Sequence, residues 1–249
     1  MAKKTLVLIP HLPSAQQGHE LILAIEGWRQ HFKTPHIIAL MGENRPTIAG
    51  VVNVESPRVA PVEGEYRSHL DYVSCTRKAL EMFPDATGFV VAADDVFAVN
   101  DFTLADVKIP KIEEYGLPTK GADKHPNPWR RNLAKTGLVC QREGWTMHNW
   151  TTHLPHYYEK RKLLKIYERF DCDHSSYVVE NLYYNALPPK GEPEVMHFIN
   201  RWKFEVSFRP LDRAGLYEAL ASRVWVTCNE HGWSPEMEYE LARHYNIKL

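Results

Sequence analysis

Thr5-Leu6-Val7-Leu8-Ile9 is an unbroken β-rich run closed by Pro10, the pattern of a strand covered on both faces. A polar stretch from Ser14 to Gly18 follows. Leu21, Ala24, Ile25 and Trp28 then recur at i, i+3, i+4 and i+7, which is one stripe of an amphipathic helix. His36-Ile37-Ile38-Ala39-Leu40 predicts a second buried strand that ends at Gly42-Glu43-Asn44-Arg45-Pro46, and Val51 to Val54 a weaker third. Tyr66, Leu70, Val73, Leu80 and Phe83 return to helical spacing until Pro84 stops them, and Gly88-Phe89-Val90-Val91-Ala92-Ala93 delivers the chain to Asp94-Asp95. This order (strand, helix, strand, strand, helix, strand) predicts an α/β fold with a mainly parallel, Rossmann-like sheet flanked by helices.

After about residue 105 the pattern changes. Pro110, Gly116, Pro118, Gly121, Pro126 and Pro128 punctuate the chain, and tryptophan and histidine gather between Trp129 and His156, as expected of a loop-rich insertion over the sheet edge. Leu163, Tyr167 and Phe170 predict a helix, Tyr177, Tyr183 and Tyr184 another, and Pro235 to Tyr245 a terminal one. The division expected is an α/β half over residues 1–105 and a loop-rich half over 106–249, packed on the same sheet.

A chain of 249 residues, 44% hydrophobic and 24% charged, can bury a sizeable core, which excludes wholesale disorder and fibrous repeats. Cys75, Cys140, Cys172 and Cys228 are far apart with no C-x-x-C pair, so no zinc knuckle or disulfide framework is legible. The amino-terminal apolar run is too short for a signal peptide or a membrane span, and the expected setting is cytoplasmic, without a membrane partner.

The chemistry begins with Asp94 and Asp95, since ligands of open α/β sheets bind just past the carboxyl ends of strands. A hard divalent cation bridging two phosphates needs one or two protein carboxylates and little else. Acidic pairs also cap the turn after a strand, a plain structural use of the same residues.

Phe89-Val90-Val91-Ala92-Ala93-Asp94-Asp95-Val96-Phe97 resembles the strand-plus-acidic motif of GT-A-type nucleotide-sugar glycosyltransferases. It is closer still to the Asn-Asp-Asp-hydrophobic-Phe signature of Stealth-type capsular polysaccharide transferases, with Ala93 in place of the Asn. Gly18-His19-Glu20-Leu21, Pro35-His36-Ile37-Ile38 and Gly42-Glu43-Asn44-Arg45-Pro46 are similar to the early region of those enzymes. Thr152-His153-Leu154-Pro155 is similar to their His-x-Pro segment, and Glu180-Asn181-Leu182-Tyr183-Tyr184-Asn185 to the segment after it. The resemblance implies a GT-A-like fold and a transferase taking a nucleoside-diphosphate sugar, most readily a UDP-sugar, with Mn2+ or Mg2+ as cofactor. Asp95 and His153 would be the metal ligands, and Asp94, His153 and Asp173 the candidate catalytic residues, with Glu43 and Asp171 as alternative bases.

His11, Ser14 and Gln17 follow the first strand at a carboxyl-terminal edge, where with Asp94 they are candidate donor contacts. Arg45 and Arg67 join them because a guanidinium matches phosphate in a planar, bidentate way. Between Lys120 and Lys165 ten basic residues stand against three acidic ones, a local +7 that leaves −8 for the rest of a chain whose total is −1. Such segregation suits a polyanion channel. Trp129, Arg130, Arg131 and Trp150 in that segment are candidate acceptor contacts, since aromatic faces among arginines stack on sugars or bases. The acceptor is a glycan or a hydroxymethylated base extruded from DNA. Sugar-1-phosphate transfer and noncatalytic nucleic-acid binding are the competing expectations.

Overall fold

The computed structural model describes residues 4–11, 18–122, 124–207, 209–229 and 231–249. Its centre is a five-stranded sheet in the order β3-β2-β1-β4-β7, built from β1 (Thr5–Pro10), β2 (His36–Gly42), β3 (Val51–Glu55), β4 (Gly88–Val91) and β7 (His156–Glu159). All neighbours are parallel except β7, which runs antiparallel to β4. The expected mixed α/β architecture with a mainly parallel sheet is therefore the one observed.

The continuous apolar runs follow from the covering of both faces. Leu6 and Leu8 meet Val73, Ala79 and Leu80 of α2 (Arg67–Met82), while Val7 and Ile9 meet Leu21, Ile25 and Trp28 of α1 (Glu20–His31). Each strand residue alternates between these two cores because side chains alternate across a strand. β2 and β3 are parallel yet joined by residues 43–50 with no helix between them, and Ile48 packs on the α1 side as the chain returns.

Past β4 the chain turns through Asp94 and Asp95 into β5 (Val96–Ala98), which belongs to a second sheet, β5-β10-β9, with β9 (Lys203–Val206) and β10 (Trp225–Cys228). This sheet packs with α1, α7 (Arg213–Ser222) and α8 (Pro235–His244) around a third core. A short helix α3 (Leu104–Val107) precedes a two-stranded sheet of β6 (Lys111–Glu113) and β8 (Glu194–Met196).

The stretch read as an insertion over the sheet edge contains a 15-residue helix, α4 (Pro128–Arg142). The Asn127 side chain accepts the Arg130 amide at its start and Pro128 occupies its first turn, where a missing N–H costs nothing. α5 (Lys160–Arg169) and α6 (Val179–Ala186) follow β7 and close the α2-side core with Leu163, Tyr167 and Leu182. Among the described residues no helix is long and apolar enough to cross a membrane.

Candidate active site

The strand order places β2 on one side of β1 and β4 on the other; α1 leaves β1 on one face of the sheet and α2 reaches β4 from the opposite face, so the carboxyl ends of β1 and β4 open a crevice. His11 follows β1 and Asp94 follows β4, and across this gap His11 Nδ1 lies 2.6 Å from Asp94 Oδ2. The imidazole is fully buried and the carboxylate about one-third exposed. His11 Nε2 has no hydrogen-bond partner among the described residues. His11 is itself fixed by donating its amide to the Met41 carbonyl at 2.9 Å. Gly42 permits this: its φ is +140°, and a Cβ there would stand 2.3 Å from the His11 carbonyl oxygen.

A cleft of about 890 Å3 runs from this point, bounded on one side by His11, Glu20, Gly42, Glu43, Asp94 and Asp95. It is lined further by Tyr66 just before α2, His69 and Tyr72 of α2, Trp129 at the start of α4, Tyr177 just before α6 and Glu180 in its first turn. His153 lies on the rim at φ +52°, between the buried Thr152 and Leu154. Its turn is tied down from behind: the buried Lys203 ammonium of β9 donates to the Thr152 carbonyl at 2.7 Å and to Glu205 at 2.7 Å.

Burial, with the like charges of Asp94 and Glu20, lifts the Asp95 carboxyl to about 7, while His153 acts in the opposite direction. Glu180 is also lifted to about 7, by burial alone against a weak pull from its own backbone amide. His69 accepts a hydrogen bond from Asn132 Nδ2 at 2.9 Å on Nδ1, and burial drives its pKa down to about 4, so it is neutral with its proton on Nε2.

The described cleft wall carries six carboxyl groups (Glu20, Glu43, Asp71, Asp94, Asp95 and Glu180) and one guanidinium, Arg58, which is held by Asp71 at 2.9 Å. A diphosphate entering this acidic region needs a counter-cation. Among the described residues no three histidine, cysteine or carboxylate groups gather to hold a metal unaided. The donor set fits an ion shared with phosphate oxygens rather than a closed protein cage, with Asp95 and His153 available as protein ligands.

His11, Asp94, Asp95, His153 and Trp129 thus come together on one cleft, as does Glu43. The other sequence candidates lie elsewhere. Arg45 is buried at the β2–β3 edge, donating to the Gly42 carbonyl at 2.7 Å and pairing with Glu55. Arg67 opens α2 outside the cleft wall, and Asp173 is bound on both oxygens by Arg77 at 2.8 Å. Asp171 is exposed beside His174. Trp150 is buried and stacks on Tyr184 at 4.9 Å. Arg131 is spent on the His125 carbonyl at 2.8 Å, and Arg130 is exposed on α4 away from the cleft wall. Ser14 and Gln17 lie outside the described residues.

Much of the basic middle segment is likewise engaged: Lys135 pairs with Glu65 at 2.8 Å, Lys160 donates to the carbonyls of Leu80, Phe83 and Pro84 around the end of α2, and Lys162 pairs with Glu159 at 2.6 Å. Sequence reasoning missed Glu20, His69, Tyr72 and Glu180 as cleft groups. Only the 66-69-72 spacing along α2 hinted that three polar aromatics share a face.

No described protein family matches the chain, and no curated protein does. Two solved structures are similar in chain course. One is described as the crystal structure of a glycosyltransferase involved in the glycosylation of the major capsid of PBCV-1. It is 13% identical, with 98% of this chain and 100% of that one covered and a TM-score of 0.39. The other is the glycosyltransferase GlyE of Streptococcus pneumoniae TIGR4, 10% identical, with 99% of this chain covered and a TM-score of 0.38; the present chain spans 62% of its length. At such distances function has to come from the chemistry of the cleft.

Proposed function

We propose that the protein is a glycosyltransferase that moves a sugar from a nucleoside-diphosphate donor, a UDP-sugar, to a hydroxyl of a glycan acceptor, with Mn2+ or Mg2+ on the donor diphosphate. The observation that carries this reading is the paired Asp94-Asp95 turn at the carboxyl ends of β1 and β4, where His11 holds Asp94 at 2.6 Å and Asp95 faces an 890 Å3 cleft. Negative charge concentrated where, among the described residues, no free cation answers it suits a cation-carried anion.

In this reading Asp95 and His153 would hold the ion, whose chemistry when bound would be to neutralise charge on the donor diphosphate. The His11–Asp94 pair fixes the floor beneath the donor. Charge development on the leaving group is the principal barrier, so a preorganised electrostatic environment supplies most of the rate. The tyrosines and Trp129 offer apolar faces with polar edges, the surface that sugar rings stack upon. A duplex DNA acceptor is disfavoured by the same six carboxylates, since a polyanion would need a positive wall.

A thermal-shift series tests the reading: UDP, UDP-glucose, UDP-galactose and UDP-N-acetylglucosamine, each with and without Mn2+. Ligands that bind only the folded state raise its melting temperature. Stabilisation should require the cation and disappear in Asp95→Asn. An unchanged response in that variant would remove the acidic turn from the mechanism. Release of UDP on turnover marks glycosyl transfer, whereas release of UMP would mark sugar-1-phosphate transfer instead.

A further inference from the structure

Resting on the glycosyltransferase reading, we infer that Glu180 is the catalytic base, positioned on the α2–α6 wall to take the proton of an uncharged acceptor hydroxyl. Glu180 lies in the first turn of α6 and lines the same cleft as Asp94, Asp95 and His153. Its carboxyl makes no hydrogen bond or ion pair with another described residue, and its one polar contact is with its own backbone amide. A half-buried carboxyl without a partner is costly unless a ligand or a proton completes it.

Its surroundings are aromatic and uncharged. Tyr72 of α2, Tyr158 of β7 and Tyr184 of its own helix all sense its charge, and all three phenols are held neutral by burial. One turn before Tyr72, the neutral His69 presents an Nε2–H donor and no positive charge. This end of the cleft therefore offers one proton acceptor, one neutral donor and aromatic faces, a set matched to a polyol and not to a phosphate. The carboxyls proposed from the sequence as bases are less free: Asp173 is neutralised by Arg77, Asp171 sits in the open with His174, and Glu43 accepts the Arg58 amide at 3.5 Å.

The step balances without a further reactant. The acceptor oxygen forms a bond to the anomeric carbon and the carbon–oxygen bond to the diphosphate breaks. The leaving group keeps that electron pair, and the acceptor proton passes to the Glu180 carboxylate, which later releases it to water. Burial lifts this carboxyl to about 7, close to the operating pH, where a general base is most effective.

The test compares wild type with Glu180→Gln and Glu180→Asp, using the three UDP-sugars above with Mn2+ and UDP release as the readout, with and without a panel of methyl glycosides. Glu180→Gln should lower kcat by at least about 100-fold with KM for the donor unchanged, and should lose the acid limb of the wild-type pH–rate profile near 7. Glu180→Asp should restore part of the rate. Mn2+-dependent stabilisation by UDP should be the same in all three proteins, which separates this inference from the donor reading: its absence in wild type sinks the donor site, not Glu180 alone. A second measurement needs no turnover. Carboxyl-labelled NMR, assigned by the resonance missing in Glu180→Gln, should place the Glu180 titration near 7. Turnover of Glu180→Gln within threefold of wild type, or a titration below 5, would overturn the assignment.

Discussion

Asp95 and Glu180 line one cleft from different elements, the turn after β4 and the first turn of α6, and burial raises both carboxyls to about 7, yet their neighbours differ. Around Asp95 are two further carboxyl groups, Asp94 and Glu20, opposed by His153 and by a hydrogen bond from its own backbone amide. Around Glu180 are phenols, and no charged group contributes to its shift. The first environment is relieved by a cation and the second by a proton. One raised pKa thus has two chemical meanings, and the neighbours decide which.

The comparison breaks or sharpens under substitution. The largest effect belongs to Asp95→Asn, which should cut transfer by about 100- to 1,000-fold, measured as UDP release under saturating donor and Mn2+. In the absence of ligand the same variant should melt higher than wild type at pH 8, because it removes a carboxylate that folding desolvates. Loss of both activity and stability would show instead that Asp95 has an internal partner.

Glu180→Gln gives a pH signature of similar size. Glu180 titrates near its ordinary 4.5 when unfolded and at about 7 when folded, so between these values the folded state keeps a proton that the unfolded chain has released. Its contribution to stability is full below 4.5 and is lost as pH rises through 7. Denaturant curves of wild type and variant should therefore agree near pH 4 and diverge above pH 7, the variant ahead by up to about 3 kcal/mol. Parallel curves at every pH would mean the carboxyl is hydrated.

His11→Ala comes next. It leaves Asp94 without its 2.6 Å partner and should cost about 1–3 kcal/mol in urea unfolding, with weaker Mn2+-dependent stabilisation by UDP. Asn127→Ala is the smallest: loss of the α4 cap should cost about 1 kcal/mol, with little change at the Asp95 end.

The legible parts of this molecule are those written in contiguous residues. Thr5–Pro10, His36–Gly42 and the α1 stripe are unbroken periodic signals, and the structure puts a strand or helix at each. β5, β8 and β10 are three or four residues long; short apolar runs at Val195 to Phe198 and Val224 to Thr227 overlap β8 and β10, but runs so short become strands only where a partner lies alongside. α4 was hidden by its charged outer face, although Asn127-Pro128 and the later Gly144 were start and stop signals. In the cleft, Asp94, Asp95 and His11 stand next to strands and could be found from position. His69 and Glu180 come from helices distant in sequence, and only the packing of α2, α4 and α6 turns them toward one space. Trp150 and Arg45 illustrate the converse: residue types suited to ligands that the fold consumes internally.

The grip of Lys203 on the Thr152 carbonyl crosses 51 residues of chain, from the edge strand β9 to the rim of the cleft. The pose of His153 is therefore inherited from the far end of the polypeptide. A truncation ending after β7 would keep every strand of the larger sheet and still unmoor the histidine, besides removing Tyr177, Glu180 and Asn229 from the cavity lining, so the smallest working fragment extends well beyond that sheet.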